Sequence, residues 1–189
     1  HFIVAVYDLG DMTHEINEQS TIIALQLSKL NCFSRVLFLR EFVTKNKIDI
    51  IHSHLLDSTL ISRIVASKNV NLVSTYHSPL HDPAQVNYSN WRYWMDRITY
   101  SKKHFLIFVS NTVRDNICKR LRVSENYKVV PNFVSEAFQP VYQYSSSEPL
   151  KIVTVGNLKE VKNHILAIRA FSKLKSFPIT LDIYGEGHL

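Results

Sequence analysis

The sequence predicts an α/β protein built on a parallel β-sheet with helices on both faces. Short apolar runs rich in β-branched residues recur along the chain, among them Phe2 to Tyr7, Ile48 to Ile51 and Asn71 to Tyr76. Between them, apolar residues fall at helical intervals. The two kinds of segment alternate, the order that a parallel sheet with crossover helices requires.

Taken in order, Phe2 to Tyr7 reads as a buried strand closed by the turn residues Asp8, Gly10 and Asp11. Ile22, Ile23, Leu27 and Leu30 suggest a helix over Asn17 to Leu30, and Phe33, Val36, Leu37, Phe42 and Val43 a second one or its bent continuation. The strand Ile48 to Ile51 ends in His52-Ser53-His54, and Asp57 or Ser58 is placed to cap the next helix, which runs to about Ser67. Asn71 to Tyr76 is followed by His77-Ser78-Pro79, where the proline forces a loop. His81 to Asn90 is polar and turn-like. Trp91, Trp94, Met95 and Ile98 then form one apolar helical stripe, expected to be buried. Phe105 to Val109 and Tyr127 to Val130 are further strands, flanking a helix over Asn111 to Leu121 with Ser110 or Asn111 as its cap.

The alternation stops between Gln139 and Pro149, where serines lie between two prolines as in a linker. A new βαβ unit follows: a strand Leu150 to Val155, a helix carrying Ile165, Ile168, Phe171 and Leu174, and a strand Ile179 to Tyr184. The expected organisation is a Rossmann-like domain over 1–138 that lacks its first βα unit, a linker over 139–149, and over 150–189 the truncated start of a second domain. About forty residues are too few to give each parallel strand a neighbour and a helix cover.

Composition narrows the classes. The chain is 46% hydrophobic and 20% charged, as in a globular protein, and no apolar run reaches the roughly 18 residues of a membrane helix. A formal charge of +6 attracts acidic partners, but the basic residues are scattered and no nucleic-acid-binding pattern accompanies them. The short cluster Lys119-Arg120-Leu121-Arg122 is expected at a solvated helix end. Cys32 and Cys118 show no metal or redox spacing and are expected as buried thiols in a reducing compartment.

The stretch Leu150 to His164, L-K-I-V-T-V-G-N-L-K-E-V-K-N-H, is the most suggestive of chemistry. A strand, a turn at Gly156-Asn157 and a helix start bring free N–H groups and the positive helix end to the carboxyl edge of a sheet. Lys159 and Lys162 would stand beside that anion-binding position.

Six segments in order carry a resemblance: D-I-I-H-S-H from Asp49, S-T-Y-H-S from Ser74, F-V-S-N from Phe108, V-V-P-N from Val129 with Phe138-Gln139-Pro140, V-G-N-L-K-E-V-K-N from Val155, and Y-G-E-G from Tyr184. Together they resemble the retaining GT-B glycosyltransferases of family 4. The resemblance implies two Rossmann-like domains across a cleft, and transfer of a sugar from a nucleotide-diphosphate sugar to a glycan or lipid-linked acceptor. It implies His77 as the catalytic residue beside the transferred sugar, and Gly156, Asn157, Lys162, Gly185 and Gly187 at the donor. It also implies His54, Ser110 and Asn132 lining the acceptor side, with His52 structural. No metal or cofactor is expected, since GT-B enzymes use dipoles and cations and no D-x-D occurs. Cell-envelope polysaccharide synthesis in the cytoplasm, with peripheral contact at the inner membrane face through the W-R-Y-W helix, would fit.

The chain departs from the family pattern in four places. Asn157 stands where arginine is usual, Phe133 and Ser135 replace Gly and Asp of the P-N-G-V-D loop, His188 stands where proline often follows G-x-G, and the E-x7-E pair is absent. Two other readings follow from the residues. His52-x-His54 puts two imidazoles on one side of a strand, so a metal-dependent hydrolase with His77 and His81 is one alternative. An inactive fragment of a glycosyltransferase is the other.

Overall fold

The computed structural model describes residues 1–9, 20–28, 30–79, 90–135, 150–174 and 176–187. They fall into two compact units, one reaching to Phe133 and the other beginning at Val134. The expected linker, the loop around His81 and the turn at Gly10-Asp11 lie outside the described residues, as does His188.

In the first unit β1 (Phe2–Ala5) pairs in parallel with β2 (Thr21–Ala24), Phe2 opposite Thr21. β2 corrects the expected Asn17–Leu30 helix. Thr21-Ile22-Ile23 is a β-branched run that loses side-chain freedom in a helix and fits the pleated surface beside β1.

A second parallel sheet has the order β3 (Ile50–His54), β4 (Asn71–Tyr76), β5 (Phe105–Phe108), β6 (Tyr127–Val129). The helices are α1 (Cys32–Lys45), α2 (Leu56–Val65), α3 (Asn90–Thr99) and α4 (Asn111–Leu121). One core joins Leu56, Leu60, Tyr76, Leu106, Phe108, Val113, Ile117 and Leu121, and another joins Leu25, Leu39, Val43, Ile61 and Val65. Both lie on the sheet face that carries Ile51, Tyr76 and Phe108. All four described helices of this unit therefore pack on one face rather than the expected two.

A buried ionic cluster ties three of these helices to β4. Asp96 of α3, 0% exposed, accepts from Arg63 Nη1 of α2 at 2.7 Å and from Arg120 of α4, and Tyr76 Oη donates to the same carboxylate at 3.0 Å. Arg63 Nη2 reaches the Tyr76 hydroxyl at 3.2 Å. Burial and the adjacent carboxylate push the Tyr76 phenol far up. Arg120 is thus an interior ion-pair partner, not the solvated cation its sequence cluster suggested.

Two further expectations are corrected. Cys32 is exposed, because it begins α1 at the surface, while Cys118 is partly buried. The stripe on α3 is partly buried only at Met95, which packs against the first core; Trp91 is 58% and Trp94 69% exposed, because the helix turns Asp96 inward to meet the two arginines.

The second unit holds β7 (Leu150–Val155) and β8 (Ile179–Tyr184), parallel with Leu150 opposite Ile179, and the helix α5 (His164–Phe171). Among its described residues only His164 is buried.

Candidate functional site

In the first unit the site residues are set by strand polarity. His54 ends β3, His77 directly follows β4, Ser110 follows β5 by two residues and Asn132 follows β6 by three. All four therefore stand at the carboxyl edge of one parallel sheet, where α/β proteins bind ligands. Alternation along the strands puts His52, His54 and His77 on one side, and Ser53 on the other.

The structure brings the histidines together. His54 Nδ1 and His77 Nε2 are 3.0 Å apart, and the rings of His52 and His54 have centroids 4.4 Å apart. Burial, followed by the charges of His52 and His77, lowers the pKa of His54 and favours its neutral form. His52 Nε2 meets Thr75 Oγ1 at 2.8 Å, so Thr75, which the sequence did not single out, fixes the ring behind the pair. On the reverse side, buried hydroxyls of Ser53, Thr59 and Ser74 join one another, Ser53 to Ser74 at 2.9 Å and Ser53 to Thr59 at 3.1 Å.

Leu55, immediately after His54, has φ 67° and ψ 166°, a region that side-chain-bearing residues avoid. It caps α2 with no side-chain hydrogen bond, in place of the expected Asp57 or Ser58. The chain turns sharply there so that the Leu55 carbonyl can accept from Thr59 N at 3.1 Å and from Thr59 Oγ1 at 2.8 Å. Ser110 is the cap of α4, its Oγ accepting from Val113 N at 3.2 Å. Asn132 is exposed beside Pro131.

In the second unit Gly156 and Asn157 leave β7, and a 3-10 turn, Glu160–Lys162, precedes α5. Lys162 thus lies one short turn before the helix, and Asn163, at φ 49°, caps α5 by accepting from Leu166 N at 3.3 Å. The aliphatic chain of Lys162 passes Gly156: a Cβ on that glycine would stand 3.8 Å from Lys162 Cδ. Gly185 and Gly187 are tighter. A Cβ there would stand 2.0 Å from the Gly156 carbonyl and 2.2 Å from the Leu158 carbonyl, respectively. The two strand ends are stitched by Gly156 N to Tyr184 O at 2.9 Å and Leu158 N to Glu186 O at 2.8 Å. His164, to which the sequence assigned no role, braces this turn with Nε2 3.2 Å from Asn157 O. Gly156, Asn157, Lys162, Gly185 and Gly187 are therefore gathered at one carboxyl edge.

Among the described residues no group of three or more His, Cys, Asp or Glu side chains is arranged to hold a metal ion. His81 lies outside the described residues. No described helix is long and apolar enough to cross a membrane.

Residues 8–138 match the model of Glycosyltransferase Family 4. No curated protein sequence matches the chain. Among solved structures it is similar to Anabaena HepE, solved in complex with UDP and glucose, with TM-score 0.75 and 15% identity over 100% of this chain and 54% of that one. It is also similar to sucrose-phosphate synthase of Thermosynechococcus elongatus, with TM-score 0.61 and 13% identity over 97% of this chain and 59% of the other. The chain thus spans a little over half the length of each.

Proposed function

Because the chain belongs to glycosyltransferase family 4 and has a GT-B type fold, we propose that it takes part in moving a sugar from a nucleotide-diphosphate sugar to a glycan or lipid-linked acceptor, with retention of configuration. The observation that carries this reading is the pairing of His54 with His77 at the carboxyl edge of the first sheet. In this proposal His77 contacts the transferred sugar, and His54 holds the His77 ring by the shared hydrogen bond. Ser110 and Asn132 complete the acceptor side.

The donor diphosphate is assigned to the turn of Gly156 and Asn157, closed by Gly185 and Gly187. The Lys162 ammonium offsets the charge that grows on the leaving phosphate as the sugar bond breaks. Asn157 donates hydrogen bonds where a second cation is usual in the family. No metal or other cofactor is assigned to this chemistry. The exposed Trp91, Trp94 and Ile98 of α3, with exposed Arg97 on the same helix, support peripheral contact with an anionic membrane surface. A cytoplasmic role in cell-envelope polysaccharide synthesis fits that surface.

The test is sugar transfer by the protein with Lys162→Ala and His77→Ala. Lys162→Ala is expected to weaken both donor binding and turnover, and His77→Ala to lower kcat by roughly 100-fold or more with the fold retained. Unchanged turnover in either variant would remove that residue from the site.

A further inference from the structure

A neutral imidazole that is hydrogen-bonded through one nitrogen has the role of its other nitrogen decided by that bond. His77 Nε2 lies 3.0 Å from His54 Nδ1, and two placements of the shared proton fit that distance. If His54 donates, each ring carries its proton on Nδ1. If His77 donates, each carries it on Nε2, the form that a neutral histidine prefers in water. One choice of donor sets both rings, so the preference counts twice.

The surroundings suit the second arrangement. The two ring centroids are 5.3 Å apart, about the separation of the nitrogens plus the radius of each ring, so both nitrogens lie on the line between the ring centres. The ring of His54 stacks on that of His52 with centroids 4.4 Å apart, and His52 Nε2 is tied to the buried Thr75 hydroxyl at 2.8 Å. That stack keeps Nδ1 of His54, rather than Nε2, turned to His77. Burial and the two neighbouring imidazoles favour neutral His54, which therefore has a lone pair to offer.

We propose that His77 Nε2–H donates to His54 Nδ1, leaving His77 Nδ1 as a hydrogen-bond acceptor at the exposed carboxyl edge, with His54 as the positioning residue that sets this polarity. The ligand group that matches is a donor, an O–H or an N–H. A phosphate or carboxylate oxygen offers lone pairs alone and is rejected there. The ligand assignment rests on the transferase reading and is a hydroxyl of the transferred sugar; the tautomer does not rest on it.

The experiment is long-range proton–nitrogen correlation spectroscopy of the isotope-labelled chain at about pH 8, above the ordinary histidine range, with the His77 signals identified by their loss in His77→Gln. The expected spectrum shows His77 protonated at Nε2 and bare at Nδ1. His54→Asn, whose Oδ1 accepts in place of Nδ1, should keep that pattern, and His54→Ala should draw the two nitrogen signals of His77 towards each other as both tautomers become populated. His77 protonated at Nδ1, or an identical spectrum in His54→Ala, would overturn the proposal. Kinetics then test the ligand. His54→Ala should lower kcat about ten-fold, and His54→Asn should restore most of it. Nucleotide-sugar donors with one hydroxyl at a time replaced by fluorine, which cannot donate, should include a position that costs the unmodified protein at least about ten-fold in kcat/KM and costs His77→Ala little. Equal losses in the two His54 variants, or no such position, would overturn the contact. Absence of turnover with every nucleotide sugar would count against the transferase reading alone, since the spectra decide the tautomer without substrate.

Discussion

His54 Nδ1 lies 3.0 Å from His77 Nε2, so one of the two nitrogens must carry the proton that the other accepts. The pair tolerates one proton on the shared line and repels a second. Tyr76, the residue just before His77, turns to the opposite face of the sheet, where its hydroxyl donates to the Asp96 carboxylate at 3.0 Å.

Acid is expected to destabilise the chain through two histidines. Burial, then His52 and His77, depresses the pKa of His54, and burial, then Arg63, brings His104 down to about 4. Both folded values lie below the unfolded value of about 6.5, so the unfolded chain binds more protons as pH falls. The contribution of each residue is complete above about pH 6.5 and is lost as pH drops through its folded value, near 4 for His104. His104 Nδ1 also accepts from Ser101 N at 3.3 Å, a bond that protonation removes. Urea midpoints measured from pH 7 to pH 4 should fall, and His104→Asn, which keeps an acceptor without titrating there, should flatten the decline. An unchanged slope in that variant would assign the acid loss elsewhere.

Leu55→Gly should stabilise the chain. The φ of 67° costs a leucine about 1–3 kcal/mol, glycine adds roughly 0.5–1 kcal/mol of unfolded-state entropy, and the exposed leucine side chain gives up little burial. A net gain of about 1 kcal/mol corresponds to a rise of roughly 2–4 °C in Tm for a chain of this size. A lower Tm would mean that Leu55 contributes packing that outweighs its strain.

Asp96→Asn should cost about 3–5 kcal/mol, because it leaves Arg63, whose side chain is 2% exposed, and Arg120 without their shared carboxylate. Replacing all three residues by apolar ones of similar size, as in Asp96→Leu with both arginines changed to Met, should recover most of that loss. Denaturant titration of the single and triple variants decides it: equal losses would show that shape, not charge, holds the cluster.

Gly185→Ala and Gly156→Ala should differ sharply. The first drives a methyl to 2.0 Å from the Gly156 carbonyl and must spread the two strand ends, while the second meets only the flexible Lys162 chain at 3.8 Å. Calorimetric titration with a nucleotide-diphosphate sugar should show binding weakened at least ten-fold, about 1.4 kcal/mol, in Gly185→Ala and changed far less in Gly156→Ala. Equal effects would detach the glycine seam from the donor.

Much of this arrangement was legible in the residues. Strands such as Asn71 to Tyr76 announce themselves by β-branched runs, and Ser110 announces a helix start that the structure confirms. The alternation placed His54 and His77 at neighbouring strand ends, although no spacing rule says that their rings touch. What stayed hidden depended on distant partners. Thr21 to Ala24 has a helix-compatible pattern until β1 lies beside it, and the tryptophans of α3 look like core until Asp96 competes for the inward direction. The left-handed backbone at Leu55 left no trace in composition, since glycine is the residue such a turn would advertise.

The glycine seam is set by backbone on both sides. Side chains at positions 185 and 187 are excluded by the carbonyls of Gly156 and Leu158, so no change of rotamer can make room for one, and the spacing of the two strand ends is fixed by main chain alone.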